Sequence, residues 1–118
     1  MRASRAEIKI EEILQAAELV FKEEYIFPEL CSENGKPLRF DFAIFDDDGN
    51  IDFLIEYQGK QHYEPSAKFG GKRGLYQQQH NDKKKRRFCA LNGIKLIEIP
   101  YTEENLISYD YIMHKAGY

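Results

Sequence analysis

The stretch from Leu38 to Tyr63 constrains the fold of this chain more than any other. Two β-prone runs meet there at Asp48-Gly49, a dipeptide that strongly favours a two-residue hairpin turn. With Asp48 and Gly49 in the turn, Asp47 pairs with Asn50, and counting outward sets Asp41 opposite Glu56. Side chains alternate along a strand, so Arg39, Asp41 and Ala43 are expected on one face, as are Leu54, Glu56 and Gln58. Opposed side chains stand roughly 5 Å apart at Cβ, and like charges so placed weaken a sheet unless a cation lies between them. Such a pair suits Mg2+, which takes oxygen from one or two carboxylates and fills its shell with water and phosphate.

The flanking segments supply the other elements. Helical spacing predicts a helix over Ser4 to Tyr25, with Ile10, Ile13, Leu14, Ala17, Val20 and Phe21 as its apolar stripe and Ser4 with Glu7 as a capping box. Phe27 to Leu30 reads as a short extended piece before the Asn34-Gly35 turn. The stretch from Glu64 to Gly74, with Pro65, Gly70, Gly71 and Gly74, reads as a mobile loop. A second helix is expected from Leu75 to Leu91, stopped by Asn92-Gly93. Ile94 to Ile99 makes a strand ended by Pro100, and Thr102 is the expected cap of a last helix. The order is α-β-β-β-α-β-α, a small α/β sandwich forming a single domain over 1–118, with a central mixed sheet flanked by helices. The last strand follows a helical crossover and is expected to run parallel to a hairpin strand.

With 118 residues, 42% of them hydrophobic, the chain suffices for one domain with one core. It has no apolar run long enough to cross a membrane, and no apolar segment follows Met1-Arg2-Ala3-Ser4-Arg5, so a secretory signal is not expected. Cys31 and Cys89 are too few for a disulfide framework or zinc cluster and read as buried free thiols in a reducing cytoplasm. Charge is unevenly spread. Lys68 to Arg87 holds eight Lys or Arg against one acid, a net of +7 that leaves −10 for the rest of a chain whose total is −3. That asymmetry fits one cationic face on an acidic body, and equally a solvated helix face.

Several side chains near the paired acids carry candidate chemistry. Gln58 shares the face of Glu56 and is placed to hold a water or phosphate oxygen, or is merely polar. His62 lies just past the strand end, and is either a general base or acid beside the paired acids or a surface or satisfied core histidine. Glu7 either completes the capping box or, one turn beyond Ile10 on the buried stripe, reaches the sheet as a metal ligand. Asp82 and Lys85 edge the core-facing side of the second helix. They form an intrahelical ion pair, or else Lys85 meets a phosphate while Asp82 orients His62 or a water. Lys84 and Arg87 are expected to look outward with Lys68, Lys72 and Arg73 as backbone contacts for DNA.

Together these residues resemble the PD-(D/E)xK nuclease superfamily. There, an acid on one strand and acid-x-Lys on the next bind Mg2+ for phosphodiester hydrolysis. Asp41 matches the first acid and Glu56-Tyr57-Gln58 the second motif, with Phe40 in place of the usual Pro and Gln58 in place of the Lys. The chain is similar in particular to very-short-patch repair endonucleases and to the EDxHD group of homing endonucleases. In those, a helix Glu, a strand Asp, a His after the second strand and a later helix Asp build the site. Glu7, Asp41, His62 and Asp82 occur here in that order. The resemblance implies a restriction-endonuclease-like fold and a cytoplasmic setting in a bacterial host cell, with phage origin an open alternative.

The expected function is a Mg2+-dependent endonuclease acting on DNA, with Mn2+ as a substitute ion. Asp41 with Glu56 or Glu7 is expected to hold the metal, His62 to transfer a proton, and the basic segment to hold the backbone. The alternatives are a non-catalytic nuclease-like module binding nucleic acid or protein, and the same chemistry on RNA or branched DNA. No membrane contact is expected. A domain this small is expected either to cleave with weak specificity or to be targeted by homodimerisation or by a separate partner.

Overall fold

The hairpin forms, but its turn is longer than Asp48-Gly49. Asp46 pairs with Asn50, whose carbonyl accepts from the Asp46 N–H at 2.8 Å, and the Gly49 N–H returns to the Asp46 carbonyl at 3.0 Å. The Asp46 carboxylate also accepts from the N–H groups of Asp48 and Asn50, each at 2.9 Å. An aspartate that gathers two amides in this way nucleates the turn one residue earlier, and Gly49 closes it in the left-handed region at φ 81°. The extra loop residue is then cancelled. Phe45 pairs with Ile51 and Ile44 with Phe53, so Asp52 bulges out of the second strand. Beyond the bulge Ala43 faces Leu54 and Phe42 faces Ile55, the register the sequence predicts.

The computed structural model describes residues 4–118. The reading of Met1, Arg2 and Ala3 as free of a secretory segment falls outside them. In chain order the elements are α1 (Arg5–Ala16), β1 (Val20–Cys31), β2 (Pro37–Phe45), β3 (Ile51–Gln58), α2 (Gly71–Leu91), β4 (Leu96–Pro100) and α3 (Tyr109–Lys115). Short 3-10 turns cover Lys60–His62, Ala67–Phe69 and Tyr101–Leu106. The sheet order is β1-β2-β3-β4. Its first three strands are antiparallel and β4 is parallel to β3 across the α2 crossover, so the sheet is mixed. The chain is thus the small α/β sandwich its pattern predicts. No helix among the described residues is long and apolar enough to cross a membrane.

Three boundaries differ from expectation, each for a local reason. The first helix stops at Ala16. Glu18 takes φ 57°, its N–H bonding the Gln15 carbonyl at 3.0 Å while the Leu19 N–H bonds the Leu14 carbonyl at 3.1 Å. This is a Schellman stop with no glycine to announce it. Val20 and Phe21 therefore open a twelve-residue strand. The second helix begins four residues early, at Gly71. The expected mobile loop is instead a packed junction: Gly70 and Gly71 take left-handed φ of 88° and 63°, and a Cβ on Gly74 would stand 1.7 Å from the Phe69 carbonyl oxygen. At the C-terminus Thr102 lies in a 3-10 turn, and Ser108 caps α3, accepting from the Tyr111 N–H at 3.1 Å.

Instead of one core, the sheet carries one on each face. Ala6, Ile10 and Leu14 of α1 and Ile112 of α3 pack with Phe42, Phe53 and Ile55 on one side. Cys89 of α2 packs with Leu38, Phe40, Ala43 and Leu54 on the other. Phe40 and Phe42 fall into opposite cores although alternation would put them on one face. The pleat slips at Asp41, across from Glu24, which is left-handed at φ 48°. Arg39 and Ala43 consequently do not share a face as expected, whereas Leu54, Glu56 and Gln58 all lie on the α2 side. Cys89 is buried as expected; Cys31 is only half-buried.

Candidate active site

The site lies where β2 and β3 part. Their register ends at Phe42 and Ile55. One step further the two carboxylates take over from the ladder. The Asp41 N–H donates to Glu56 Oε1 at 3.2 Å, and the Tyr57 N–H donates to Asp41 Oδ2 at 2.7 Å. Each acid thus satisfies a backbone amide of the opposite strand, which brings the two acids together between diverging strands.

Burial and mutual repulsion set their protonation. Asp41 is half-buried, and desolvation lifts its carboxyl from 3.8 to about 6. The Tyr57 N–H opposes the rise and the negative charge of Glu7 adds to it. Glu56 is 5% exposed, and burial, then the charge of Asp41, push it up to about 8 against the pull of Lys85. Both carboxyls are therefore weaker acids than free ones, and Lys85 only partly offsets the rise on Glu56.

Helix α2 covers this end of β3 and delivers two ionisable side chains to it. Asp82, Lys85 and Cys89 form its buried line, as the helical spacing predicts. Asp82 and Lys85 do not pair with each other. Lys85 Nζ lies 3.1 Å from Glu56 Oε1 and over the Phe40 ring, 5.4 Å from its centroid. Asp82 Oδ2 lies 3.0 Å from His62 Nδ1, and its other oxygen accepts from Gln78 Nε2 at 3.2 Å. Burial raises the Asp82 carboxyl, but the bond to His62 and its charge outweigh that, and the net effect holds it below its ordinary value. His62 sits in the 3-10 turn that follows β3, is 9% exposed, and has one ring nitrogen committed to Asp82. A histidine oriented in this way has its second nitrogen available for proton transfer.

The remaining predicted residues fall less centrally. Glu7 is half-buried and occupied in the cap of α1, where Ser4 Oγ donates to its Oε1 at 2.9 Å and accepts from its N–H at 3.2 Å. It joins the site through its field on Asp41 rather than through a bond. Gln58 is buried and held at both ends of its amide. Tyr63 Oη donates to its Oε1 at 2.5 Å, and its Nε2 donates to Glu98. Glu98, the register partner of Glu56 on β4, also receives Arg86 Nε at 2.8 and 3.0 Å. Sequence reasoning passed over Glu98 and Arg86. The signal was there in Leu96-Ile97-Glu98-Ile99, where one acid interrupts an apolar strand next to the site. Gln58, His62, Asp82 and Arg86, with Tyr63, Gln79 and Lys83, line a cleft of about 190 Å3.

On the basic segment, Lys84 departs from expectation. It is half-buried and donates to the Cys31 carbonyl at the end of β1, so it does not look outward. Lys68, Lys72, Arg73 and Arg87 are exposed as expected, and Lys83, at the rim of the cleft, takes the place given to Lys84. Among the described residues no three His, Cys, Asp or Glu side chains stand close enough together to form an all-protein metal cage.

No protein-family model matches the chain, and no solved structure matches it. It is similar to three viral proteins. Uncharacterized protein 094L of Frog virus 3 (isolate Goorha) is 49% identical over 57 residues, 47% of this chain and 37% of that protein. Uncharacterized protein 307L of Invertebrate iridescent virus 6 is 35% identical over 79 residues, 66% of this chain and 40% of that protein. Uncharacterized protein 033L of Invertebrate iridescent virus 3 is 49% identical over 49 residues, 41% of this chain and 25% of that protein. The chain thus matches no more than two-fifths of the length of these relatives.

Proposed function

We propose that this chain is a Mg2+-dependent nuclease of the PD-(D/E)xK type that hydrolyses phosphodiester bonds in DNA. The observation that carries the reading is the pair Asp41 and Glu56, two acids brought together between parting strands with Lys85 against one of them and the His62–Asp82 pair on the covering helix and turn. Two hard oxygen donors that repel one another in a partly desolvated place fit Mg2+, which needs only one or two protein carboxylates when water and phosphate complete its shell. Bound there, the ion supplies charge neutralisation at the scissile phosphate and acidifies the attacking water.

The chain's own groups divide the rest of the work. Lys85 brings from α2 the ammonium that acid-x-Lys places on the strand, and so compensates for Gln58. The Lys85 ammonium, 3.1 Å from Glu56 Oε1, would supply positive charge to a phosphate oxygen held beside that carboxylate. His62, with its tautomer fixed by Asp82, takes a proton from water or gives one to the leaving oxygen through Nε2. Gln58, tied to Tyr63 and Glu98, is a strut for the cleft wall. Incubation of supercoiled plasmid and of circular single-stranded DNA with Mg2+ or Mn2+, against EDTA and Asp41→Ala controls, tests the reading. Cut product from at least one substrate that needs both the ion and Asp41 is expected, and both substrates intact with either ion would refute it.

A further inference from the structure

We propose that the outer face of α2, with the turn before it, is a platform for unpaired bases, so that the DNA this site takes is single-stranded. The inference deepens the nuclease reading and rests on its nucleic-acid half alone. Large aromatic side chains stand out where the chain is cationic: Phe69 is 50% exposed and Tyr76 is 72% exposed. Residues three, four and seven apart share one side of a helix, so Lys72, Tyr76, Gln79 and Lys83 make a single stripe. The stripe leads from the start of α2 to the cleft beside His62, because Gln79 and Lys83 line that cleft. At a 1.5 Å rise per residue, Tyr76 to Lys83 spans about 10 Å.

Phe69 is not a loose loop residue. The left-handed Gly70 and Gly71 and the close approach of the Phe69 carbonyl to Gly74 clamp its turn onto the first turns of α2, next to Lys72 and Arg73. Lys68 Nζ lies 5.7 Å from the centre of its ring. Lys60 and Phe69 also line a common groove of about 270 Å3, together with Gln61, Glu64, Pro65 and Ser66. A solvent-facing aromatic on a packed turn gains little for the core. Aromatic faces alternating with Lys and Arg are what single strands require: cations follow the phosphates and rings take the bases, which a duplex keeps stacked inside.

The test is binding in EDTA, where no cleavage intervenes, read by fluorescence anisotropy. The probes are a labelled oligodeoxythymidylate of about 12 nucleotides, within the span such grooves cover, and a duplex of equal length. The single strand is expected to bind more tightly. Tyr76→Ala and Phe69→Ala are each expected to weaken it roughly tenfold or more, with Tyr76→Phe retaining affinity and duplex binding unmoved. Circular dichroism on each variant establishes that it is folded, and Tyr76→Ala, at an exposed helix position, keeps the test sound if Phe69→Ala is not. Equal losses on both probes, no loss on the single strand, or tighter duplex binding overturns the proposal. Cleavage of circular single-stranded DNA with Mg2+ is scored separately. Cleavage with aromatic-independent binding sinks the platform and spares the nuclease, and aromatic-dependent binding without cleavage does the reverse.

Discussion

Replacing Asp41 with Asn is expected to make the metal-free protein more stable while abolishing cleavage. The Asn side-chain carbonyl can still accept from the Tyr57 N–H, which the native carboxylate meets at 2.7 Å, so the local geometry survives and only the charge is lost. A carboxyl lifted from 3.8 to about 6 costs the folded state about 3 kcal/mol once it is ionised, at about 1.4 kcal/mol for each tenfold change in acidity. Because Asp41 is only half-buried, about 1 to 3 kcal/mol is the working range, and the lowered repulsion on Glu56 acts in the same direction. The pH dependence follows from the raised pKa. The folded state prefers the protonated acid, so the wild type carries its full stability below about pH 4 and loses this part as pH rises through about 6. The gain from Asp41→Asn therefore opens across that window and is level above it. Urea denaturation in EDTA at pH 4 and pH 7.5, followed by circular dichroism, measures it. A variant less stable than wild type at pH 7.5, or a gain of equal size at both pH values, would refute the reasoning.

Four further outcomes are expected. His62→Ala should lower the single-turnover rate roughly 100-fold with DNA affinity little changed, and a loss of affinity at constant rate would instead make His62 a phosphate contact. Lys85→Met should reduce cleavage more than binding. By leaving Glu56 buried without its partner it should also cost stability increasingly as pH rises through about 8, as read from denaturation midpoints across pH. Lys83→Ala with Arg87→Ala should weaken binding to all sequences alike and flatten the log–log salt dependence by about two phosphate contacts, whereas an unchanged slope would make α2 a solvated face. Glu18→Gly, which relieves a left-handed residue in the Schellman stop, should raise stability by about 1 kcal/mol in the same urea titration.

Much of this architecture was legible because its signals are local and redundant. The hairpin's alternation, the Asn92-Gly93 stop and the crossover before the last strand led to the mixed sheet and its parallel edge. The buried line of Asp82, Lys85 and Cys89 was readable from helical spacing alone. What stayed hidden depended on conformations that leave no residue-type mark. Glu18 ends α1 in a geometry usually given to glycine, so Val20 and Phe21 continued an apolar stripe on paper and began a strand in fact. The glycines from 70 to 74 spell flexibility by composition, yet Gly70 and Gly71 supply left-handed turns and Gly74 lets the Phe69 carbonyl approach closely. The network of Gln58, Tyr63, Glu98 and Arg86 joins four separate segments, and its partners follow only once β4 lies beside β3. Lys84 looked outward by spacing, but the Cys31 carbonyl drew it in from an unforeseen strand.

The hairpin behaves as a self-correcting count. An error of one residue in its loop, left alone, would slide β3 by one position and send Glu56 to the face opposite Asp41. Here the surplus residue in the loop meets a surplus residue at Asp52, and the two cancel before Ile44 and Phe53. The separation of the two acids is therefore set by the pairing of Phe42 with Ile55 in the core, not by the length of the connection outside it. Asp46 and Gly49 hold the turn itself, while the acids take their places from the core pairing at the other end of the ribbon.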